Sequence, residues 1–532
     1  MFFRTFASSN NQKRICMKNL HRLIWVFVLV LICNVSCRKD DDLSPTLVSQ
    51  FVYDGMSLYY LWDEQVRGRA PRATDTDAKR YFQSLLHPTD IRNRWSWITD
   101  DVDALLRDFA GESARVFGFA PLAIHFQNLG RFEGFVRYVY PNTPAYEAGI
   151  QRGDIIIAAN GTPLNASNFR IMFDANTETT FTVLNQHRQN RREITITPRP
   201  FQANPVLHSS VHRFDDSDRV IGYLFYTAFR GGTLENNFNE HLFQVFRKFR
   251  QEGVNELVLD LRYNPGGEVS TAIYLASMIA PRREVENNSV FTIMSYNRYQ
   301  NAVFDRQGWD RSSRLGTYNN RLFQNPINAN LNLSRVHIIA TQFSASASEL
   351  TIFCLRPFMD VVHIGEETSG KYTASWTVHA FDNFTLNGQH RAQRVHNPSH
   401  FTAAEREELR NWAMQPIVGR YTDRDGRDFV AEGTLRPDVP VEMLEISFTP
   451  PPALLPVREW KPIGDENDYF FAKAISLITG RPHTTATRSA SDRTFIGTPH
   501  LSPQEMRLRR AVNVDNVEID PEMLREMLRS LR

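Results

Sequence analysis

The sequence predicts a multidomain α+β protein with a helical N-terminal domain, a small β domain and a layered α/β core. The 532 residues are too many for one hydrophobic core, because single cores stop growing at about 250–300 residues. Apolar residues first follow helical spacing, then strand-like alternation, and finally mark buried strands that alternate with helices. The composition, with 42% hydrophobic and 23% charged residues, is typical of an ordered globular protein.

The charge balance argues against a nucleic-acid-binding protein. The net charge is +2, from 61 basic and 59 acidic residues, and five of the basic residues lie in residues 1–36, which hold no acidic residue. Without that segment 56 basic and 59 acidic residues remain, a net charge of −3. A polyanion needs a basic surface, so we expect no nucleic-acid partner.

Residues 1–36 have the pattern of an export signal. Basic residues within 17–22 precede an apolar run at 23–33, which is short of the roughly 20 residues that span a bilayer. The sequence Asn34-Val35-Ser36-Cys37 resembles a bacterial lipobox, although Asn34 stands where a Leu-like residue is usual. The resemblance implies cleavage before Cys37 and lipidation of its sulfur. The alternative is an ordinary signal peptide with an incidental cysteine.

Residues 37–47 are a predicted polar tether. The run 38–42, Arg-Lys-Asp-Asp-Asp, is similar to the signal that sends some Gram-negative lipoproteins to the cell surface. We therefore expect an outer-membrane lipoprotein, on the periplasmic side or at the surface. The mature chain would keep only Cys37 and Cys354, so no disulfide framework is expected. With no spaced Cys/His cluster, we expect neither a metal nor a cofactor.

Residues 48–112 are predicted to form the helical domain. Apolar runs such as 51–53 and 58–62 have helical spacing, and we expect their aromatic side chains in the core.

Residues 113–200 are predicted to form the β domain. The segment Val116-Phe117-Gly118-Phe119 leads into two strand-like runs, a Thr-Pro-Ala helix start at 143–145 and an Asn-Gly turn at 160–161. This order resembles a PDZ domain of the permuted, protease-associated kind. PDZ domains bind peptide C-termini by strand addition. The resemblance makes Phe117, Gly118 and Phe119 the candidate peptide-binding loop. A rigid spacer is the alternative role.

Residues 201–480 are predicted to form the α/β core, followed by a polar C-terminal tail, 481–532, to which we assign no function. Buried strands at 219–226, 256–262, 336–340 and 361–365 alternate with helices. The connections 282–334 and 376–415 are long and polar, which is typical of functional or mobile loops.

Three short motifs in this core are weak signals singly but indicate a function when they are taken together. They are Leu-Asp-Leu-Arg-Tyr-Asn-Pro-Gly-Gly at 259–267, Ser-Ala-Ser-Glu at 346–349 and Gly-Lys at 370–371. Together they resemble the C-terminal processing (tail-specific) peptidases, the S41 family of serine proteases, in which Ser and Lys are 25 positions apart, as they are here. A later Gly…Pro-Asp stretch, 433–438, also fits. The resemblance covers about residues 115–480 and implies a ClpP/crotonase-like layered core. Tyr263 departs from the common glycine.

The resemblance implies Ser346 as nucleophile and Lys371 as general base. A serine hydroxyl needs a base, and a lysine can serve when desolvation keeps its amine neutral. The rival serines, 344 and 348, do not fit the family spacing. Glu349 matches an acid that supports the family's site, and a salt bridge to the scaffold is the equally weighted alternative.

The tetrahedral intermediate of acyl transfer needs two N–H donors. We expect one from Ala347, at a helix N-terminus, and the other from Gly266 or Gly267. Ser375 stands where several family members carry a glutamine that orients the lysine. His337 and His363 lie in apolar strand runs and are expected in the core.

The leading functional prediction is a membrane-anchored serine endopeptidase with a Ser/Lys dyad, acting on exported or unfolded polypeptides with accessible C-termini. A second hypothesis is a non-catalytic, peptide-binding surface lipoprotein on a protease scaffold. A third places the same chemistry in a surface system that processes nutrient peptides. The sequence indicates neither the cleavage preference nor the oligomeric state.

Overall fold

The computed structural model describes residues 44–126, 131–319, 323–386, 389–390, 392–442, 444–447, 453–456 and 460–482, with three positions near the C-terminus. The predicted signal segment, Cys37 and most of the predicted tail lie outside the described residues. Among the helices that are described, none combines the length and the apolar character needed to cross a bilayer.

The N-terminal region is mainly helical. Its helices and strand are α1 Leu47–Tyr59, α2 Ala78–Ser84, α3 Pro88–Asn93, β1 Trp97–Thr99 and α4 Val102–Phe109. Side-chain caps start all four helices, because Thr46, Asp77, His87 and Asp101 each accept a backbone N–H of the first turn. The buried side chains of α1 and α2 belong to the same apolar cluster as the α/β core. The N-terminal region is therefore packed onto the core and shares its interior.

The second region contains the predicted β domain. Its elements are β2 Glu112–Val116, β3 Phe119–Phe126, β4 Arg131–Val139, α5 Pro144–Glu147, β5 Ile155–Ala159, β6 Thr162–Pro163, β7 Thr179–Leu184, β8 Arg192–Ile196 and β9 Arg199–Gln202. Strands pair in the order β3-β4-β5-β7-β8, with β6 against β5 and β2 against β9. The region has its own apolar cluster around Val136, Ile156 and Phe181.

The third region alternates strands and helices. Its strands are β10 Val206–Arg213, β11 Val220–Tyr226, β12 Glu256–Asp260, β13 Val290–Tyr296, β14 Ser312–Arg314, β15 Arg335–Ala340, β16 Asp360–Gly365, β17 Thr373–Ser375, β18 Val378–His379, β19 Thr385–Leu386, β20 Gln389–His390, β21 Gln393–Arg394, β22 Ala413–Gln415, β23 Ile417–Asp423, β24 Val439–Pro440, β25 Leu444–Ser447 and β26 Ala453–Pro456. Its helices are α6 Phe238–Gln251, α7 Val269–Ile279, α8 Arg282–Glu286, α9 Arg298–Gln307, α10 Ala347–Leu355, α11 Ala403–Leu409 and α12 Tyr469–Thr479.

A six-stranded sheet, in the order β10-β11-β12-β15-β16-β24, forms the centre of this region. From β11 to β24 neighbouring strands run parallel, and β10 is antiparallel to β11. Both faces are buried, since Leu257 and Leu259 of β12 belong to one apolar cluster and Val258 to another. One face packs on helices α6, α7 and α10, and the other on α12 and the β domain. Burial on both faces explains why the strands read as continuous apolar runs.

This parallel arrangement positions the candidate site. Strands β12 and β15 are neighbours, so the loops that follow them meet at one edge of the sheet. A second sheet, in the order β14-β13-β23-β17, carries the segment just after Lys371. The predicted fold class, a multidomain α+β protein with a layered α/β core, is confirmed.

Candidate active site

The loops after β12 and β15 are held together by hydrogen bonds from the serine-rich segment. The hydroxyl of Ser344 donates to the carbonyl of Leu261 (2.7 Å), and that of Ser348 donates to the carbonyl of Asn264 (2.9 Å). The N–H of Ala345 also donates to the Asn264 carbonyl (3.1 Å). The motif at 259–267 and the motif at 346–349 therefore form one structural unit.

The three candidate serines differ in the hydrogen bonds of their hydroxyl groups. The hydroxyls of Ser344 and Ser348 are engaged by the neighbouring loop, as just described. The hydroxyl of Ser346 is buried and has no hydrogen-bond partner within the described part of the chain. Among the three, Ser346 thus has the hydroxyl that is available for a reaction.

The backbone at Ser346 is unusual for a residue with a side chain. Its φ of 59° and ψ of −108° lie outside the conformations that such residues commonly adopt. Strain of this kind costs roughly 1–3 kcal/mol and is concentrated at functional sites. Ser346 directly precedes α10, so the turn sets its hydroxyl at the N-terminal end of that helix.

Two glycines let the neighbouring loop approach this turn closely. A Cβ on Gly266 would lie 2.9 Å from the N of Ala347 and 2.9 Å from the Cβ of Ser346, so a side chain there would collide with the reactive turn. The N–H of Gly266 donates to the side chain of Asn264 (2.9 Å). The N–H groups of Gly267 and Ala347 are not among the donors in the hydrogen bonds of the described residues. These two amides are the better-placed pair for an oxyanion.

Glu349 joins the serine segment to the lysine segment. Its carboxylate is fully buried and accepts the N–H of Ser346 (2.7 Å) and the N–H of Lys371 (2.9 Å) on one oxygen. The other oxygen accepts the N–H of Gly370 (2.7 Å) and the hydroxyl of Thr368 (2.6 Å). Burial raises the pKa of this carboxyl, and the four hydrogen bonds oppose that shift. Glu349 therefore holds three backbone amides and one hydroxyl in place, and these four bonds connect the serine segment to the lysine segment.

Lys371 is buried, with 1% of its surface exposed. It follows Gly370, whose φ of +82° and contact with the carbonyl of Gly433, 2.1 Å from a Cβ, leave no room for a side chain. Thr368 continues this packing, because its N–H donates to the carbonyl of Leu435 (3.1 Å). The late stretch 433–438 thus supports the loop that carries the lysine.

Tyr421 is a site residue that the sequence analysis missed. Its phenol, buried in β23, lies 3.3 Å from the carbonyl oxygen of Ser346 and 3.2 Å from that of Lys371, and donates to both. Burial raises its pKa well above the ordinary value, so the phenol remains a donor. In the sequence Tyr421 looks like any other core aromatic, and no local signal marks it.

The predicted peptide-binding loop lies at the start of β3. The rings of Phe117 and Phe119 are buried in the β domain's own cluster, 5.8 Å apart, and both contact Phe181. They support the loop from inside instead of lining a groove. In the described sheet β3 pairs only with β4, which leaves its other edge open to an added strand.

The β domain also contacts the loop that supplies the glycines. The guanidinium of Arg152 donates to the hydroxyl of Tyr263 (3.1 Å), and that of Arg137 lies 5.4 Å from the Tyr263 ring. Arg152 also pairs with Asp468 (3.4 Å), which bonds to the buried Arg262 (2.7 Å). Tyr263, where the family commonly has glycine, is therefore the point at which the β domain contacts the active-site loop.

Two histidines and a cysteine that the sequence analysis considered are buried core residues. His337 and His363 are buried in β15 and β16, with 2% and 0% exposed, as expected for core residues. Cys354 is buried in α10 as a free thiol. In the described ranges, no group of three or more His, Cys, Asp or Glu side chains is arranged to hold a metal ion.

Two models of one peptidase family match the chain. The model of peptidase family S41 matches residues 220–441, and the model of the S41 N-terminal domain matches residues 48–97. The chain belongs to peptidase family S41. A PDZ domain model matches residues 135–182. The family that the sequence motifs indicated is confirmed, and the match supports the class of serine-type peptidase with a PDZ domain.

Two curated relatives are carboxyl-terminal-processing proteases. The one from Synechocystis sp. is 25% identical over 237 residues, 43% of this chain and 47% of the relative. The one from Picosynechococcus sp. is 24% identical over 238 residues, 43% of this chain and 49% of the relative. The chain thus spans about half the length of the curated relatives that it matches. A solved structure from Bacteroides fragilis, named as an S41 protease, has a TM-score of 0.58 at 23% identity, covering 81% of this chain and 97% of that one. This likeness establishes the fold.

Proposed function

We propose that the protein is a membrane-anchored serine endopeptidase that cleaves exported or unfolded polypeptides with a Ser346/Lys371 dyad. The observation that carries the proposal is that the segment of an unengaged serine hydroxyl and the segment of a buried lysine share two anchoring side chains. Both segments are held by the carboxylate of Glu349 and by the phenol of Tyr421. Such shared anchoring fixes two reactive side chains relative to each other.

Lys371 serves as the general base. Burial disfavours the charged form of an amine, so a lysine with 1% of its surface exposed can be neutral near neutral pH. The neutral amine takes the proton of the Ser346 hydroxyl while Oγ attacks the substrate carbonyl carbon. The resulting ammonium group then gives that proton to the leaving amine. Water repeats the cycle on the acyl-enzyme and releases the carboxylate product.

The oxyanion that forms during attack is stabilised by backbone amides. Ala347 is the first residue of α10, where the helix dipole also favours negative charge. Gly267 supplies the second N–H from the neighbouring loop. Removing one such donor typically lowers kcat by roughly 10²–10³-fold.

The PDZ domain binds chain ends and is coupled to the active site. An open β3 edge offers main-chain hydrogen bonds to an extended peptide, with the loop Phe117-Gly118-Phe119 at its end. Ser346 and Lys371 are almost fully buried, and the approach of substrate to them is the step on which the PDZ domain acts. The contacts of Arg137 and Arg152 with Tyr263 support a role of the PDZ position in that step.

Membrane attachment is proposed from the sequence alone. The lipobox-like segment ending at Cys37 supports an acyl anchor, and the acidic run after it supports an outer-membrane location. Cys37→Ser should move the protein from the membrane to the soluble fraction after cell breakage. Unchanged membrane association of that variant would remove the lipid anchor from the proposal.

The peptidase activity is tested with the full-length protein in detergent micelles and with denatured casein at neutral pH. Wild type is expected to release peptides, and Ser346→Ala and Lys371→Ala are expected to release none above background. Cleavage by Ser346→Ala would refute the nucleophile. If wild type releases no peptide even with a peptide ligand for the PDZ domain, the burial of Ser346 favours the second candidate, a peptide-binding protein on a protease scaffold.

A further inference from the structure

A short segment that leads into helix α12 connects the PDZ domain to the loop after β12. This bridging segment, residues 460–468, contains neither helix nor strand. Trp460 and Asp468, at its two ends, are 8% and 2% exposed. The buried side chains of α12 belong to an apolar cluster that also holds residues of the PDZ domain and of the central sheet. The bridging segment is therefore enclosed between two other parts of the fold.

The PDZ domain binds the first two residues of the bridging segment. The side-chain amide of Gln186 accepts the N–H of Trp460 (2.7 Å) and donates to its carbonyl (3.3 Å). The guanidinium of Arg152 donates to the carbonyl of Lys461 (3.0 Å) and lies 4.6 Å from the centroid of the Trp460 ring. These hydrogen bonds and the cation–π contact fix this end of the segment on the PDZ domain.

Asp468, at the other end, is bound by arginines from two regions. Its carboxylate accepts two hydrogen bonds (2.7 and 3.1 Å) from Arg262, whose side chain has no exposed surface, and lies 3.4 Å from the Arg152 guanidinium. Burial opposes ionisation of this carboxyl, but the charges of Arg262 and Arg152 outweigh burial and hold its pKa below the usual range. The ionised carboxylate of Asp468 therefore joins an arginine of the PDZ domain to an arginine of the core.

Arg262 belongs to the loop that carries Gly267, the candidate oxyanion donor. Its side chain also pairs with Asp260 (2.5 Å), and its backbone carbonyl accepts the hydroxyl of Thr341 (2.5 Å). Gly267 follows five residues later in the same loop. The side chain that Asp468 binds is thus part of the catalytic loop itself, and direct contacts lead from the PDZ domain to that loop.

We propose that Asp468 is a positioning residue of the peptidase reaction. Through Arg262 it holds the loop that presents the Gly267 amide to the oxyanion, and through Arg152 it makes the placement of that loop depend on the PDZ domain. The inference rests on the proposed function and extends it to a segment that no sequence motif marks. The coupling between the PDZ domain and the active site then runs through a buried row of alternating charges.

A purely structural role for Asp468 gives a different prediction. Its carboxylate also caps helix α12, because it accepts the N–H of Phe471 (3.3 Å). Serine and asparagine cap helices about as well as aspartate does, so either replacement keeps the cap and removes the charge. If capping were the whole role, both variants would react like wild type. A positioning role predicts that the folded variants react more slowly.

The test measures the rate constant at which a fluorophosphonate labels Ser346 in the full-length protein and in Asp468→Asn. The phosphonyl oxygen takes the place of the substrate oxyanion, so this rate constant depends on the oxyanion donors. A loss of stability alone lowers the amount of labelled protein but not the rate constant. We expect the rate constant, and kcat with casein, to fall about 10–100-fold because the donor is displaced, with KM within about threefold. Asp468→Ser should behave in the same way.

A double variant tests the route through Arg152. Because Arg152 and Asp468 contact each other, their effects on the rate constant should not be independent. The loss in Arg152→Gln/Asp468→Asn is expected to be smaller than the product of the two single losses. A loss equal to that product would overturn the route from the PDZ domain.

A matched control is available in the N-terminal region. Asp63 is also buried and also pairs with two arginines, Arg67 (2.8 Å) and Arg298 (3.5 Å), neither of which belongs to a catalytic segment. Asp63→Asn is expected to lower Tm and to leave the labelling rate constant unchanged. The proposal would be overturned if both Asp468 variants stayed within threefold of the wild-type rate constant, or if Asp63→Asn lost as much as they do.

If neither Asp468 variant folds, Gln186→Ala decides the question. This change removes the two hydrogen bonds to Trp460 and leaves the row of charges in place. We expect the labelling rate constant to fall about two- to fivefold, as for one or two lost hydrogen bonds. An unchanged rate constant would overturn the proposal.

The two proposals fail separately. Cleavage by Ser346→Ala refutes the dyad whatever Asp468 does. An inactive Ser346→Ala variant beside Asp468 variants that match wild type leaves the dyad in place and refutes only the role of Asp468.

Discussion

Replacing Glu349 with glutamine tests the connection between the serine and lysine segments. The carboxylate accepts two N–H groups on one oxygen and one N–H and one hydroxyl on the other. A glutamine amide has only one accepting oxygen. If the amide oxygen of the glutamine takes the place of the carboxylate oxygen that binds Ser346 and Lys371, those two hydrogen bonds are kept. The amide NH2 group then points at the N–H of Gly370. Two donors then face each other in a buried site.

The magnitude follows from these contacts. A buried N–H without an acceptor costs about 1–3 kcal/mol, and bonds that lose their charge weaken by about 1 kcal/mol each. The sum is roughly 3–4 kcal/mol. If all of it destabilises the catalytically active arrangement of the site, kcat/KM falls by about 10²–10³-fold, because each 1.4 kcal/mol is a factor of ten. The assay is peptide release from casein, with Tm measured in parallel.

The matched control is Glu256→Gln. Glu256 is also buried, and burial also raises its pKa, but it lies at the opposite end of β12 and pairs with Arg219 (2.8 Å). The control is expected to lower Tm without a specific loss of kcat. If Glu349→Gln kept its kcat/KM within threefold of wild type, the account of Glu349 as the connector would be refuted.

Three further predictions concern other parts of the fold. Tyr421→Phe removes the donor shared by the two catalytic segments, and we expect kcat to fall about 5–20-fold at constant KM, from roughly 1–2 kcal/mol of lost hydrogen bonding. His337→Gln should flatten the pH dependence of Tm: burial lowers the His337 pKa from 6.5 to about 4, so wild type loses up to about 3 kcal/mol as the pH falls through that window. Arg152→Gln, which weakens the contact with Tyr263, should change basal peptide release and reduce its response to a PDZ-binding peptide.

Each of these has an outcome that would contradict it. Equal kcat for Tyr421→Phe and wild type would show that its two hydrogen bonds do not matter for catalysis. A Tm of His337→Gln that still falls as steeply between pH 6.5 and 4 would assign the effect to other groups. A wild-type response of Arg152→Gln to the peptide would separate the PDZ position from the active site.

Local patterns in the sequence predicted much of the fold because the physics behind them is local. Continuous apolar strands indicated a sheet buried on both faces, and Leu257, Val258 and Leu259 do face two different clusters. The Thr-Pro-Ala start predicted at 143–145 does begin a helix, at Pro144. Motif spacing also brought Ser346 and Lys371 together as candidates, since both follow neighbouring strands of one parallel sheet.

The supporting residues could not be predicted in this way. Tyr421 approaches the site from a segment far away in sequence, and no period or motif links it to Ser346 or Lys371. Its position depends on tertiary packing, which single-sequence patterns do not contain. Glu349 shows the same limit: the sequence suggested an acid at the site, but its four backbone and hydroxyl partners come from the folded loops.

Tyr263 lies between these cases. The sequence showed that an aromatic residue replaces a common glycine, but not what the ring would contact. In the structure the guanidinium of Arg137 lies over the Tyr263 ring, and that of Arg152 donates to the Tyr263 hydroxyl. The departure from the motif marked a position that contacts another domain. The residues that it contacts there are known only from the folded structure.

The most direct test of the central claim is covalent labelling of the full-length protein with a fluorophosphonate, followed by peptide mapping. The account predicts one adduct, on Ser346, with labelling at least about tenfold slower in Lys371→Ala, because a serine without its base is a poor nucleophile. Ser344→Ala should still be labelled, since the Ser344 hydroxyl only holds the neighbouring loop. An adduct on another serine, or equal labelling rates with and without Lys371, would contradict the dyad.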